Sequence, residues 1–205
     1  MKKMLLVSAI LLMPCLSSAA TLTTYTNQAA FEAATSTSTY DFNSDANGSF
    51  TSKDFGDFTA TLQNPYSGFL GTYKPSIYNQ ALKLQKKDEA SALEISFDST
   101  ISAFGFNWEN TDWTGDAIEV SILGQNFVFG PNRQSGFFGI TSDTLFSTAL
   151  LGDSVGSNEF LFTGTLDNFQ YGNVSAVPIP AAAFLFAPAM LGFMGLRRKA
   201  KKLVV

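Results

Sequence analysis

The sequence predicts an all-β protein, an antiparallel β-sandwich or jelly roll. Two observations carry this prediction. Short segments of alternating apolar and polar residues recur at intervals of about 8–12 residues, with turn-forming residues between them. The chain also contains 20 Phe and only one Cys, so an aromatic core has to replace disulfides as the main source of stability. Helical periodicity is almost absent, and no internal repeat is visible.

The first part of the predicted domain contains its one helix. Residues 21–26 alternate loosely and predict a short first strand. Asn27 is a suitable N-cap for a helix over residues 28–34, in which Phe31 provides the apolar contact. The Ser/Thr-rich residues 35–39 predict a loop, and a strand-like segment is expected to begin at Tyr40-Asp41-Phe42.

Alternating segments in the remainder of the domain predict nine or ten short strands. The best-defined segment places Phe104, Phe106 and Trp108 on one face and Asn107 on the other. Gly124 separates two segments that are expected to pair as a hairpin. The predicted strands cover residues 50–62, 81–84, 92–97, 101–108, 117–123, 125–130, 136–140, 144–150, 160–165 and 166–172.

The N-terminus has the pattern of a secretory signal peptide. Met1-Lys2-Lys3 is basic, residues 4–16 are apolar, and Ser17-Ser18-Ala19-Ala20 provides small residues for cleavage. Cleavage after Ala19 or Ala20 fits equally well. Either cut removes Cys15, so the mature chain is expected to contain no disulfide.

Charge is distributed unevenly along the chain. Residues 21–177 contain six basic and all 17 acidic residues, and 6 − 17 gives this segment a formal charge of −11. Such a surface repels phosphates, so no nucleic acid partner is expected. Carboxylates in these numbers suit divalent cations better.

The C-terminal residues combine a Pro-x-Pro step, an uncharged run and a basic end. Residues 181–196 would form about 24 Å of helix, and residues 177–180 with the snorkelling basic side chains extend it toward the roughly 30 Å of a bilayer core. We therefore expect a transmembrane helix with its basic end in the cytoplasm. It is either a permanent anchor or a sorting signal that is later cleaved. The basic residues are Arg197, Arg198, Lys199, Lys201 and Lys202.

This tail resembles the PEP-CTERM sorting domain of bacterial secreted proteins, in its Val-Pro-Leu-Pro-Ala variant. The resemblance covers about the last 30 residues and implies recognition and cleavage by a membrane-embedded exosortase. Ile179 departs from the family's usual Glu. The resulting division of the chain is a signal peptide (residues 1–20), a β-sandwich domain (21–173) and a sorting tail (174–205). The motif residues are Val177, Pro178, Ile179, Pro180 and Ala181.

The sequence excludes several kinds of catalytic site. The chain has no His, and its mature part has no Cys, so Ser-His-Asp triads, thiol nucleophiles and His- or Cys-ligated metals are all excluded. Gly152-x-Ser154-x-Gly156 matches a nucleophile elbow but lacks the His partner. No enzyme is therefore expected. Glycoside hydrolysis would need a pair of acids, and the candidates are Glu94, Glu109, Asp116 and Glu119.

Two binding hypotheses remain for the domain. Oxygen donors from an early and a late segment, Asp41, Asn43 and Asp167, are candidate ligands of a structural calcium ion. Trp113 lies in a polar segment and is the candidate for stacking on a sugar ring. The helix near Phe31, the strand start at Asp41-Phe42 and the segments 101–106, 136–140 and 166–171 recur in many domains that carry such tails. In these features the domain is similar to carbohydrate-binding-module-like β-sandwiches.

These observations lead to one expected function and two alternatives. We expect a secreted, non-enzymatic protein of the cell surface or extracellular matrix. Its expected partners are the secretion machinery, an exosortase and, before processing, the membrane. The alternatives are a glycan-binding protein with an extracellular polysaccharide as partner and, third, a polysaccharide hydrolase.

Overall fold

The computed structural model describes residues 19–63, 67–68, 71–72, 74–86, 92–111, 117–131, 133–153 and 162–175. These residues form fourteen strands and one helix. The helix is α1 (Gln28–Ala34). The strands are β1 (Leu22–Tyr25), β2 (Thr35–Tyr40), β3 (Gly48–Ser49), β4 (Ser52–Asp54), β5 (Phe58–Gln63), β6 (Ser67–Gly68), β7 (Gly71–Thr72), β8 (Ser76–Tyr78), β9 (Ala81–Lys86), β10 (Ala92–Asn110), β11 (Ile118–Ile122), β12 (Gln125–Phe129), β13 (Ser135–Asp153) and β14 (Phe162–Val174).

Twelve of these strands belong to one continuous antiparallel sheet. Its main path runs β12-β11-β13-β10-β14-β9-β8-β3, with β1, β2, β4 and β5 attached beside it. The strands β6 and β7 form a separate pair. The predicted all-β, antiparallel class is therefore confirmed.

The sheet folds over on itself because the two longest strands bend. The ring centroids of Phe97 and Phe104, both in β10, are 5.2 Å apart, whereas seven residues of straight strand would span about 23 Å. The pairing of β10 with β13 shifts register between Ser96 and Ile101, at this bend. The first part of β10 pairs with β5, and its second part pairs with β14. One layer thus contains β5 and the start of β10, and the other contains β14 and the end of β10.

An aromatic core lies between the two layers of this sandwich. Phe58 of β5 stacks on Phe169 of β14 with centroids 5.6 Å apart, and Phe106 contacts Phe169 and Phe138. Phe58, Phe104, Phe106 and Phe169 are all fully buried. Such ring pairs contribute about 0.5–1.5 kcal/mol each beyond the area they bury. The core is therefore rich in Phe, as the sequence predicts, and aliphatic residues such as Leu82 and Ile95 pack with the rings.

Two local predictions are confirmed closely. The helix α1 covers the predicted residues, and the backbone N–H of Ala30 donates to Asn27 Oδ1 at 3.0 Å, as expected of an N-cap. The predicted hairpin is the antiparallel pair β11–β12. Leu123 and Gly124 form its two-residue turn, and φ is positive at both positions. This is the pattern of a type I′ turn, whose backbone twist matches the right-handed twist of the two strands.

Two predictions around residue 40 are wrong. Residues 35–39 form strand β2 rather than a loop, because they pair with the end of β14, from Thr35↔Val174 to Tyr40↔Phe169. The chain leaves the sheet after Tyr40 instead of beginning a strand there. Phe42 has a left-handed φ of 55° and is fully buried. The Asn43 N–H donates to Asp41 Oδ1 at 3.1 Å and closes the turn around Phe42.

The strand count is also different from the prediction. Residues 92–97 and 101–108 are parts of the single strand β10, and residues 136–140 and 144–150 are parts of β13. Each of these long strands contains turn-like polar residues where it bends. The interrupted alternation therefore predicted two short strands where the structure has one.

Several sequence predictions lie outside the described residues. They are the signal peptide through residue 18, Trp113 and Asp116, and the tail from residue 176, with its sorting motif, apolar run and basic end. In the part of the chain that the structure describes, no helix is long and apolar enough to cross a membrane.

Candidate functional site

The outer face of the β9-β14-β10-β13 layer, which points away from the aromatic core, has two different halves. One half is covered by helix α1, whose Phe31 packs on Phe137 with centroids 5.5 Å apart. Glycine makes this contact possible: a Cβ on Gly139 would lie 2.7 Å from the Phe31 ring, and one on Gly105 would lie 2.9 Å from the Phe137 ring. We call this the helix-covered half.

The other half of the outer face is an open groove of about 520 Å³, which we call the outer-face groove. The side chains of the groove lie together because of how β10 is paired with β13 and β14. Asn107 of β10 is paired with Phe137 on one side and Asp167 on the other, and paired residues share one face of a sheet. Glu109 is likewise paired with Ser135 and Thr165. Ala81 of β9 completes the lining.

A bulge in β14 directs Asp167 into the groove. From Gly105 to Asn107 the strand β10 advances two residues, while β14 advances three, from Gln170 to Asp167. The extra residue is Asn168, at a left-handed φ of 52°. Its backbone N–H donates to Asp167 Oδ1 at 2.7 Å, which holds the carboxylate in place. Bulges of this kind re-aim side chains.

The electrostatics of the groove centre on Asp167. Partial burial raises the pKa of its carboxyl, the hydrogen bond from Asn168 acts in the opposite direction, and the negative charge of Asp41 raises the pKa further. The structure thus brings Asp41 within electrostatic range of Asp167, although the two are far apart in sequence.

Of the predicted calcium ligands, the structure brings Asp41 and Asp167 near each other, but Asn43 does not direct its side-chain oxygen at Asp41. Asn43 Nδ2 donates to Asp41 Oδ2 at 2.7 Å, so this amide nitrogen is directed at the carboxylate. Calcium takes six to eight oxygen ligands. Within the described ranges, no group of three or more Asp, Glu, His or Cys could hold a metal ion. Calcium binding by Asp41, Asn43 and Asp167 stays a prediction.

Trp108 borders the same groove. It is partly buried and packs against the core, with its ring centroid 5.2 Å from that of Phe129. Glycine makes room for the indole, since a Cβ on Gly136 would lie 3.1 Å from it. As the sequence predicted, the indole lies on the core face, opposite to Asn107 and Glu109, and Trp108 borders the groove through its position in β10 between them.

A second depression of about 410 Å³ adjoins the groove and shares Glu109 and Ser135 with it. Its other lining residues are Asn110, Thr111, Arg133 and Gln134. The side-chain amide of Asn110 donates to the Gly130 carbonyl at 2.7 Å and is buried. The two depressions therefore follow each other along one edge of the outer face.

The structure separates the acids that the sequence suggested for hydrolysis. Glu109 lies in the groove. Glu94 belongs to the part of β10 that pairs with β5 in the other layer, where Ser96 Oγ donates to it at 2.9 Å. Glu119 is in β11. The groove partner of Glu109 is instead Asp167, which the sequence assigned to calcium.

The sequence did not mark four residues of the groove as site residues: Asn107, Ser135, Thr165 and Ala81. A usable signal existed only for Asn107, which the alternation of β10 places opposite Phe104 and Phe106. The others reach the groove through pairings between residues far apart in the chain.

No protein-family model matches the sequence, and no curated protein matches it. Two mutant forms of CBM29-2, a family 29 carbohydrate-binding module, are similar in structure, with TM-scores of 0.37 and 0.38. Their identities are 16% and 12%, over 60% and 71% of this chain and 99% of each module. The enzymatically active domain of bacteriophage CBA120 tailspike protein 4 has a TM-score of 0.29 and 13% identity, over 64% of this chain and 21% of that one. Likenesses with scores this low do not indicate the function of this chain.

Proposed function

We propose that this protein is a secreted surface protein whose β-sandwich binds a glycan in the outer-face groove without cleaving it. The observation that carries the proposal is the groove itself, which combines an amide, two carboxylates and two hydroxyls with apolar surface from Ala81 and Phe137. Sugars present hydroxyl groups and apolar C–H faces together, so a site of this mixed kind suits them.

The charge of the groove supports a neutral ligand. Its lining contains Glu109 and Asp167 and no Lys or Arg, and the segment from residue 21 to 177 carries a formal charge of −11. Carboxylates accept hydrogen bonds from sugar hydroxyls but repel phosphates and uronates. A neutral polysaccharide is therefore the proposed partner.

The first test is replacement of Asn107 at the centre of the groove. We expect Asn107→Ala to weaken the affinity for a neutral polysaccharide, measured by retardation in gels that contain it, by about two- to twelvefold, because each lost hydrogen bond is worth roughly 0.5–1.5 kcal/mol and 1.4 kcal/mol is tenfold. Asn126→Ala is the matched control, since Asn126 is exposed on β12 outside the groove. If Asn107→Ala and Asn126→Ala were retarded to the same extent, the outer-face groove would not be the binding site.

Glycoside hydrolysis is the competing function, because Glu109 and Asp167 line one groove. They are diagonal neighbours on adjacent strands, which places their Cα atoms about 7–8 Å apart. In glycoside hydrolases the two carboxyl groups lie about 5–9.5 Å apart, and the pKa of the one that acts as the acid is raised. Cα atoms at the separation of Glu109 and Asp167 allow such a distance between the carboxyl groups. We expect no release of reducing ends from the bound polysaccharide. Release that disappears in both Glu109→Gln and Asp167→Asn would replace binding with catalysis.

Delivery is the remaining part of the proposal. The basic and apolar N-terminus supports secretion, and the tail with Val177, Pro178, Ile179, Pro180 and Ala181 supports recognition by an exosortase while Arg197–Lys202 hold the orientation. The intact mass of the protein from the cell surface tests this. Loss of both ends supports sorting, and a mature form that still ends at Val205 would indicate a permanent anchor.

A further inference from the structure

The outer face continues beyond the groove onto the hairpin β8–β9. Thr165, which lines the groove, is paired with Lys83. In the hairpin, Ala81 is paired with Tyr78. Since paired residues share a face, Tyr78, Ala81 and Lys83 all lie on the groove side. The intervening Ile77 and Leu82 point inward and are almost fully buried.

Tyr78 is the one aromatic side chain that this hairpin presents to solvent. It is 54% exposed, so packing in the core does not explain it. Its position is nevertheless defined: Asn79 and Gln80, with φ of 50° and 62°, form a tight two-residue turn beside it. Lys83 Nζ lies over the ring, 5.6 Å from its centroid, an interaction that orients an aromatic ring.

The accessible face is wider than the groove alone. Tyr78 on β8 is separated from Ser135 on β13 by β9, β14 and β10. Four steps between neighbouring strands correspond to roughly 19 Å. At the far side, Glu109 and Ser135 are shared with the second depression, which Arg133 and Gln134 also line. Such a cleft extends beyond one sugar ring in both directions.

We propose that Tyr78 is a stacking platform at one end of an extended cleft, and that the cleft binds an internal stretch of a long neutral glycan rather than a terminal sugar. This inference rests on the proposed function. The Tyr78 ring offers a flat apolar surface at little conformational cost, and the polar groove beside it holds the neighbouring sugar hydroxyls. A ligand that occupies both must be several units long.

The test compares chain lengths on the full mature protein. Gels with β-glucan, xylan, mannan or galactomannan identify a polysaccharide that retards the wild type, and oligosaccharides of two to six units cut from it are then titrated calorimetrically. We expect wild-type affinity to rise with length. Tyr78→Ala should lower the affinity for the hexasaccharide by about tenfold, a typical effect of losing one stacked ring, and should leave the disaccharide unchanged. Tyr78→Phe, which keeps the ring, should bind as the wild type does.

The control for exposed apolar surface is Leu145→Ala, since Leu145 is 58% exposed and lies in β13 away from the hairpin. If Tyr78→Ala and Leu145→Ala both bind the hexasaccharide like the wild type, while Asn107→Ala does not, the platform is refuted and the groove stands. If none of the four polysaccharides retards the wild type, the proposed function and the platform are both refuted.

Discussion

The helix-covered half and the open half of the outer face are built on the same strands but differ in the size and polarity of their side chains. Under helix α1, β10 presents Ala103 and Gly105, and β13 presents Gly139. A few residues along, the same strands present Asn107 and Glu109 beside Ser135. The small residues allow Phe31 to be buried completely. The polar residues leave the groove open to solvent.

This difference separates stability from binding on one surface. A helix of seven residues is not stable alone in water, so α1 depends on the packing of Phe31 against the sheet at Gly139 and Phe137. Polar side chains on an open sheet contribute little to folding, because they exchange hydrogen bonds to water for hydrogen bonds within the protein. Substitutions in the helix-covered half should therefore change the free energy of unfolding, and substitutions in the outer-face groove should change the affinity for the ligand.

The largest expected effect is loss of the helix contact. Phe31→Ala removes a fully buried ring that packs on Tyr25 and Phe137, and such truncations cost about 3–5 kcal/mol of unfolding free energy. Denaturant titration of the variant measures this directly.

The comparison predicts a contrast with the groove. Asn107→Ala should change the unfolding free energy by less than about 0.5 kcal/mol, as is usual for surface substitutions. A loss as large as that of Phe31→Ala would mean that the groove is part of the folding core and that the two halves are not separate.

A smaller effect is expected from Asp167, the most buried carboxylate of the groove. Its pKa in the folded protein is raised, chiefly by burial, so the ionised form costs stability above that pKa and the cost disappears as the pH falls toward its unfolded value of about 3.9. Asp167→Asn keeps an oxygen that can accept from the Asn168 N–H. The variant should melt at a higher temperature than the wild type at pH 7, and the difference should shrink by pH 4.

Asp143 provides a control of the opposite sign. The backbone N–H of Thr21 donates to it at 2.9 Å and lowers the pKa of its carboxyl. Its ionised form therefore stabilises the fold above its unfolded pKa. Asp143→Asn should melt at a lower temperature at pH 7. If both Asn variants shifted in the same direction, a general effect of reducing the negative charge would explain the result better than burial of Asp167.

The smallest effect concerns Glu32, which joins α1 to the sheet from the surface. Hydrogen bonds from Gln28 and Gln170, each 2.8 Å, lower the pKa of its carboxyl. That stabilisation is present above the unfolded pKa and is lost as the pH falls through the lower, folded value. Thermal melts of Glu32→Gln should show a slight loss at pH 7 that vanishes in acid. A melting temperature above that of the wild type at pH 7 would contradict this role.

The parts of the fold that depend on neighbours in sequence were predictable. The cap of α1 uses Asn27 and Ala30, three residues apart, and the β11–β12 hairpin needs only its own turn. Strand β2 was not predictable, because its Ser and Thr residues form a strand only through pairing with β14, more than a hundred residues later.

The candidate site was predictable only in fragments. Glu109 and Asp167 were both identified from the sequence, but for different chemistries and with different partners. Their shared groove depends on the register of β10 with β14 and on the bulge at Asn168. Tyr78 was not identified, because nothing local distinguishes an exposed strand-end Tyr from a buried one.

The antiparallel β class and the aromatic core of this protein follow from its sequence, because alternation has a period of two and marks which side chains are buried wherever a strand forms. The sequence also determined the chemistry that is absent, since a site without His or Cys is a matter of composition. Which outward-facing residues lie together depends instead on the folded arrangement of the strands. Strand bends, bulges and register are set by pairing between distant segments, and one residue of slip would turn the same polar side chains to the other face.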